Sequence, residues 1–568
     1  MTLSCVVLCL FSHFSLTFFC CLIFSWVQII CESCQSFAIL QGGGFGRWGM
    51  KSSDFVSKWL YLSFCLISSL FAYLFDSLMS KNGISEKYEI VIGLEVHAQL
   101  RTQSKAYSGD STEFGVAPNS NVSVLTIAHP GTLPRFNEKV LEYAVKMGIA
   151  CGSEITRYNV FDRKNYFYPD LPKGYQITQD KTPICRGGAI RITLPSGQEK
   201  DIALTRIHME EDAGKSLHLA EELDTLVDLN RAGVPLIEIV TDPILRTPEE
   251  AYWYLTEVRR LVRYLDICDG NMEEGSMRCD ANISVRLKGE TAFRTRVEVK
   301  NMNSFRNVER AIIFEAKRQI EAYEAGETIK GETRMFDAPT GSTYSLRNKE
   351  SLNDYRYFCE PDLQPVIVSE EYLTAIKSQM PALPRELKEK FINQYGLSDY
   401  DANVLVDIKE TALYFDEVCK SLSTPAQYKA AANWLTVPVK SYLNEQAIGM
   451  EEFTLPASKI VELVKLVESN QVSFSIAAQN LFPALIADPT AKAEEKAKEL
   501  DLIQTSDIDA ITPIIDEILA AYPAKVAEYR AGKKGIIGMF MGELRRKTQN
   551  KVDPKTASSL IEKRLEEV

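Results

Sequence analysis

Apolar and polar positions follow three successive regimes along this chain. Two apolar runs come first, at residues 6–30 and 55–78, each long enough to span a bilayer. From Tyr88 to about Val368 apolar positions recur every second residue in short runs broken by Gly, Pro and Asn. That is the period of strands half-buried in a sheet, and helical stretches near 249–265 and 308–325 interrupt it. The expectation is one α+β domain, with a mixed sheet. After the MPALP break at 380–384 the period becomes helical, through 385–395, 402–421, 425–435 and 457–469. A second break at Ala487-Asp-Pro-Thr precedes a charged helix at 491–500 and a last group of helices. The expected domains are therefore 79–378 (mixed), 379–488 (helical) and 489–568 (a small helical tail).

Composition narrows the class. A chain of 568 residues, 45% apolar and 25% charged, is globular and long enough for roughly two to four domains. Its formal charge of −12 argues against coating DNA or RNA at large, so nucleic-acid contact requires a local basic patch. The first 78 residues are different material. Only Glu32, Arg47, Lys51, Asp54, Lys58 and Asp76 are charged there, and without Lys or Arg before Arg47 a secretory signal is a poor reading. Two readings remain, a membrane anchor or a stretch upstream of a true start at Met79; the second is preferred, and a membrane location is not expected. Seven of the thirteen cysteines lie in this stretch, and the other six (Cys151, Cys185, Cys268, Cys279, Cys359, Cys419) show no paired spacing, which suits a reducing cytoplasm.

Several segments carry candidate chemistry. In KYEIVIGLEVHAQL, alternation places Glu95, His97 and Gln99 on one strand face, where a carboxylate and an imidazole two apart can reach one cation. A lone E-x-H is more often a solvated face. In IALTRIHMEEDAGKS the same alternation groups Arg206, His208 and Glu210, before a turn bearing Glu211, Asp212 and Lys215. Three successive carboxylates repel one another unless solvated or metal-bound. Gly214-Lys215-Ser216 is not a phosphate loop, because the first glycine of that motif falls at Met209. In VDLNRAGVPLIEIVTDP, Glu238 interrupts an apolar run and needs a cation if its strand is covered on both faces.

Two more strands have charged faces: Arg278, Asp280, Asn282, Ser284 and Arg286 in one, Arg294, Arg296, Glu298 and Lys300 in the other. Either is a solvated antiparallel face or a phosphate-binding one. FDRKNYFYPDLPKGYQITQ reads as a polar aromatic loop holding Lys164, Tyr166 and Tyr168. Near the C-terminus Arg530, Lys533, Lys534, Arg545, Arg546, Lys547, Lys551 and Lys555 face only Glu543 and Asp553, which reads as an amphipathic helix with a basic face, suited to nucleic-acid phosphates, though such faces are more often merely solvated.

Taken in order, GLEVH, FDRKNYFYPD, YQITQ, MEEDAGKS, DLNRAGVPLIEIV, MEEGSMRCDANIS, VKNMNSF and DYRYFCEPDL closely resemble the B subunits of aspartyl/glutamyl-tRNA amidotransferases, from about Tyr88 to the C-terminus. The resemblance implies a cradle-like, kinase-like domain binding ATP and Mg²⁺, then a helical domain and a tRNA-gripping tail. It implies Glu95, His97, Glu210 and Glu238 as metal ligands, with Glu211 as a neighbour, and Glu210, Lys164 and Arg278 as catalytic. Arg206, Lys215 and Arg296 are the expected nucleotide contacts, Lys533, Lys534, Arg545 and Arg546 the tRNA contacts, and Lys164 and Tyr168 the wall of an ammonia channel.

The implied reaction is ATP-dependent amidation of misacylated Glu-tRNA(Gln) or Asp-tRNA(Asn) in a heterotrimer. An A subunit hydrolyses glutamine for ammonia, since this chain lacks a Ser-Ser-Lys amidase signature, and a C subunit completes the assembly. Several relatives hold zinc through four cysteines at positions matching Ser108, Asp110, Ser123 and Thr126; none is a thiol here, so no structural zinc is expected. The rival readings are a non-catalytic scaffold presenting tRNA, an archaeal-type E subunit, for which no inserted domain is visible after Leu363, and a membrane-anchored protein.

Overall fold

In the computed structural model, residues 87–218, 224–348, 355–503, 508–548, 552 and 554–567 are described. The two apolar runs and Met79 lie outside the described residues, and among those described no helix is long and apolar enough to cross a membrane. The strands used below are, in chain order, β1 (Tyr88–Gln99), β2 (Asp162–Asn165), β3 (Tyr175–Thr178), β4 (Glu199–Glu211), β5 (Pro235–Thr241), β6 (Met277–Leu287), β7 (Val297–Met302), β8 (Glu332–Asp337), β9 (Ser342–Asn348) and β10 (Phe358–Cys359). The helices are α1 (Glu138–Ala150), α2 (Pro248–Tyr264) and α3 (Phe305–Glu324).

β1 lies in the middle of the main sheet because its alternation suits both neighbours. Ile92, Leu94, Val96 and Ala98 are buried on one face, and Glu95, His97 and Gln99 are presented on the other. The strand order is β9-β8-β7-β6-β1-β5-β4, continued by the short strands Cys185–Arg186 and Glu154–Ile155. Among the seven labelled strands every neighbouring pair is antiparallel except β7 with β8. Helices α1, α2 and α3 supply Val145, Tyr254, Val258, Val308 and Ile312 to a core with the apolar face of the sheet. Thr247 and Ser304 cap α2 and α3 by accepting from Glu250 N and Asn307 N, each at 3.1 Å. The fold class is α+β, as the two hydrophobic periods imply.

The FDRKNYFYPDLPKGYQITQ segment departs from the loop expected of it. Its two ends are β2 and β3, an antiparallel pair to which β10 adds a third strand on the other edge of β2. A two-proline insert and a polar composition hide four-residue strands whose alternation is visible only once Lys164 and Gln176 are seen opposite one another.

A second core gathers the helices from Pro384–Asn393 to Ala493–Glu499 around Phe391, Phe415, Trp434 and Phe482. The helix expected at 402–421 is two, Asp399–Leu405 and Lys409–Cys419. The break is where the end of α2 enters the second core: Tyr264 is buried there and its Oη donates to Val406 O (2.7 Å), and Arg260 pairs with Asp407 (3.0 Å). The charged helix expected in the tail also moves, because Ala493 and Ala497 of Ala493–Glu499 pack into the second core. The third core is built by Ile511, Ile515, Phe540, Leu544, Ile561 and Leu565.

The segment between β1 and α1 is held by a knot of hydrogen bonds. Asp110 Oδ2 accepts from Ser123 Oγ (2.8 Å), Ser123 N (3.0 Å), Ser108 Oγ (3.1 Å) and Thr126 Oγ1. The four positions singled out in sequence therefore converge, and a carboxylate collects hydroxyl donors there. Burial raises the Asp110 pKa, but these donors outweigh it and hold the carboxyl below its usual range.

Two outcomes are expected. Phe391→Ala, which empties a fully buried ring packed 4.9 Å from Phe415, should lower the urea midpoint of the second core by about 3–5 kcal/mol equivalent in tryptophan fluorescence; an unchanged midpoint would mean the core closes over the gap. A depressed carboxyl pKa stabilises the fold above the unfolded pKa and ceases to do so as pH falls through the folded one. Asp110→Ala should thus lower Tm at neutral pH, with a difference from the parent that shrinks below about pH 4; a pH-independent difference would remove the carboxylate from the hub.

Candidate active site

The polar face of the main sheet carries a stripe of charge that cross-strand register assembles. His97 on β1 lies opposite Glu238 on β5, which lies opposite His208 on β4. Glu238 Oε2 stands 3.4 Å from His97 Nε2 and 3.3 Å from His208 Nε2, and Glu210 Oε1 is 3.5 Å from His208 Nε2. His208 and Glu210 are each 2% exposed. Burial opposes charge on all of these groups. Two imidazoles nevertheless hold Glu238 well below the carboxylate range, and Glu238 with Glu210 raises His208 to about 9.

The β10-β2-β3 sheet covers this stripe. Glu210 Oε1 accepts from Thr178 Oγ1 (2.7 Å) and lies 3.4 Å from Lys164 Nζ, while Oε2 accepts from Gln176 Nε2 (3.0 Å). Burial raises the Glu210 pKa, but the Lys164 ammonium and His208 bring it down to about 2. The adjacent Glu211 points the opposite way, as alternation on β4 requires. It accepts from Ile177 N (2.9 Å), pairs with Lys173, and lines a separate cavity of about 280 Å³ with Lys105 and Tyr107. Glu211 is thus not a member of the cluster.

His97, Glu210 and Glu238 can each offer a ligand atom within 4.8 Å of the others. Two carboxylates and one imidazole form an oxygen-rich set suited to Mg²⁺ or Mn²⁺ rather than to a thiolate-seeking ion. His208 is the neighbour that sequence reading left off the ligand set; its Nδ1 is buried without a hydrogen-bond partner among the described residues. The residues present fit a hard divalent cation.

Glu95 belongs to a second group. With Asp280 on β6 and Glu298 on β7 it forms a separate cluster, of three carboxylates, into which Lys300 inserts, pairing with Asp280 and standing 3.2 Å from Glu298. Burial and the nearby Glu238 push the Glu95 carboxyl up. The alternation of Asp280 with Asn282, and of Glu298 with Lys300, was the legible signal; the register joining them was not.

The other expected residues scatter. Arg278 does not touch Glu210 but donates to Asp212 Oδ2 (2.7 Å), which Gln99 Nε2 also meets at 2.7 Å. Arg206 shares the His208 face but turns toward Asp180 (3.9 Å). Lys215 opens an exposed hairpin, Lys215–His218 with Thr225–Asp228, and Arg296 is exposed ahead of β7 rather than on it. Arg294 likewise precedes that strand and pairs with Glu290 (2.8 Å). Of the two residues expected to wall a channel, Lys164 is beside Glu210 and Tyr168 is 53% exposed.

The tail is less basic in space than in sequence. Lys533 pairs with Glu528 (3.2 Å), Arg546 with Glu543 (2.7 Å) and Lys547 with Glu517 (2.6 Å), while Lys534 lies over the Tyr529 ring. Arg545 is exposed on the helix Ile537–Lys547, and Lys551 lies outside the described residues.

Comparison with known proteins places the chain in a family. Residues 90–374 match the GatB/GatE catalytic domain and residues 413–565 the GatB domain. The B subunit of the aspartyl/glutamyl-tRNA(Asn/Gln) amidotransferase of Thermosynechococcus vestitus is 46% identical over 496 residues, 85% of this chain and 98% of that protein. Its counterpart from Chlorobium limicola is 46% identical over 480 residues, 84% of this chain and 100% of that protein. With the catalytic-domain model matched over half of the chain and these relatives covered over nearly their whole length, the protein belongs to the family of aspartyl/glutamyl-tRNA(Asn/Gln) amidotransferase B subunits.

Proposed function

We propose that this chain activates the side-chain carboxylate of a misacylated tRNA, Glu-tRNA(Gln), Asp-tRNA(Asn) or both, and directs its amidation. The observation that carries the reading is the convergence of His97, Glu210 and Glu238 beneath Lys164. A carboxylate oxygen of the substrate attacks the γ-phosphorus of ATP, the bond to the β–γ bridging oxygen breaks, and ADP leaves. Ammonia then adds to the acyl carbon, loses a proton, and expels inorganic phosphate, leaving the amide.

Phosphoryl transfer of this kind is governed by positioning and charge neutralisation. Mg²⁺ held by His97, Glu210 and Glu238 would supply that neutralisation. Thr178, Gln176 and Lys164 fix Glu210 in place, and the Lys164 ammonium offsets negative charge brought in by carboxylate and phosphate. Gln99 and Arg278 anchor Asp212 at the end of β4 and so orient the strand carrying Glu210.

Ammonia comes from a glutamine-hydrolysing A subunit, with Lys164 and Tyr168 on its route, and a C subunit completes a cytoplasmic heterotrimer. Of the four expected tail contacts, Arg545 and Lys534 have no carboxylate partner among the described residues and can meet tRNA directly, while Lys533 and Arg546 must first exchange a carboxylate partner for phosphate.

The test is the chain from Met79 assembled with the A and C subunits of its organism, followed for ATP- and glutamine-dependent conversion of each misacylated tRNA. His97→Ala should lower conversion by roughly 100-fold or more. No conversion by the assembled parent complex, with glutaminase intact, would leave the scaffold reading in its place. Independently of turnover, Mn²⁺ titration followed by electron paramagnetic resonance should show binding by the parent complex and its loss in Glu238→Ala; equal binding by both would remove Glu238 from the ligand set.

A further inference from the structure

The carboxylate stripe leaves unexplained a pocket of about 480 Å³ at the end of the sheet, where the last turns of α2 and the start of α3 meet residues 269–273. A volume of that order takes a small molecule or a stretch of polymer rather than a lone ion.

The pocket is cationic by assembly. Arg259 and Arg263, one helical turn apart on α2, and Arg306, in the first turn of α3, all line it. Gly270, at φ +69°, gives the Arg259 stem room, since a Cβ there would stand 2.5 Å from Arg259 Cγ. Rings support two of the guanidinium groups: Arg259 lies 4.7 Å from the Phe305 centroid and Arg306 lies 4.8 Å from that of Tyr252, the two rings packing edge to face at 6.1 Å. Arg306 pairs with Glu309 (3.0 Å), but among the described residues neither Arg259 nor Arg263 has an ion-pair partner. Burial, and then the neighbouring Arg263, lower the Arg259 pKa, so an anion placed here relieves a repulsion. The amides present donors as well. Asn271 Oδ1 accepts from Glu273 N (2.9 Å) and Asn303 Oδ1 from Asn307 Nδ2 (2.6 Å), which leaves each Nδ2 to donate. Of the two acids at the pocket, Asp269 accepts from Asn271 N (2.8 Å) and Ser276 Oγ, and Glu273 is exposed and, among the described residues, pairs with none of the three arginines.

We propose that this pocket binds a backbone phosphate of tRNA, away from the aminoacyl group. Forked guanidinium groups and amide donors match phosphate oxygens, and on a chain of net charge −12 such a patch is a local exception. Position chooses between tRNA and ATP. Arg278 lies opposite His97, and Ser276 O accepts from Gln99 N (2.7 Å), so the turn leading to the pocket starts about 7 Å beyond His97 along the strands. The arginines belong to helices packed on the apolar face of the sheet, whereas the metal ligands occupy the polar face. ATP engaged at the stripe keeps its phosphates within a few bonds of the transferring one. An RNA chain continues past the end of the sheet with a phosphate at every residue. The inference takes tRNA as the substrate from the proposed reaction.

The test is filter binding of deacylated tRNA(Gln) to the assembled complex across a series of salt concentrations. Arg263→Gln with Arg306→Gln, which neutralises two exposed side chains, should weaken binding about tenfold at moderate salt and reduce the slope of log K against log salt by about one to two, while Arg263→Lys with Arg306→Lys should keep the parent slope. KM for Glu-tRNA(Gln) should rise by a similar factor in the glutamine variant, with KM for ATP unchanged. Parent-like affinity and slope in that variant would overturn the proposal. So would a rise in KM for ATP with tRNA binding intact, which would give the pocket to a free nucleotide, or loss of subunit assembly with tRNA affinity of the assembled fraction intact, which would give it to an acidic protein segment. Binding needs no turnover, so a parent complex whose tRNA affinity depends on these arginines but which forms no amide would sink the phosphoryl-transfer reading and leave this one standing.

Discussion

The rest of the site depends on one constraint: a carboxylate on a covered strand must be met by positive charge from its neighbours. Glu238 sits in the apolar run of β5, and burying it unpaired would cost several kcal/mol. His97 and His208 reach it from the two flanking strands, and Lys164 reaches Glu210 from a separate sheet. Each of these contacts exists only in one register. A slip of one residue on β1 would turn His97 into the apolar core and bring Val96 or Ala98 to the carboxylates. Packing of the apolar face against α1, α2 and α3 therefore specifies the chemistry of the polar face, because the same alternation governs both.

Much of this face was legible in the residues themselves. Alternation in GLEVH and in TRIHMEE placed His97, His208 and Glu210 correctly, since period two is a local property of any extended chain. What sequence could not give was partnership. Glu211 was a natural companion to Glu210 until the strand turned it toward Lys173, and Glu95 was a natural companion to His97 until β6 and β7 drew it to Asp280 and Glu298. Arg294 and Arg296 looked like strand residues because β7 begins only at Val297. The β2 and β3 strands were hidden for a different reason: each is four residues long, stabilised by pairing rather than by apolar content.

The helical regions show how composition misleads when acids are distant in sequence. Eight basic residues in a short stretch read as a cationic face, yet Glu517 lies well outside that stretch and returns to it in space, and Glu528 stands just ahead of it. Helix 402–421 read as continuous because its apolar period is unbroken, and the break at Val406 serves a contact from α2 that no local pattern records. At that junction Tyr264 of α2 is itself buried in the second core, and Arg260 and Asp266 add ion pairs to Asp407 and Lys409.

The Asp110 knot separates two needs that a thiolate-bound ion would combine. Hydroxyls that donate to a carboxylate are not consumed by oxidants and not stripped by chelators. The segment between β1 and α1, which walls the cavity beside Glu211, keeps its closure whatever the supply of transition metal or the redox state of the cell. What threatens this closure is acid, because protonating Asp110 removes the charge to which its hydroxyl partners donate.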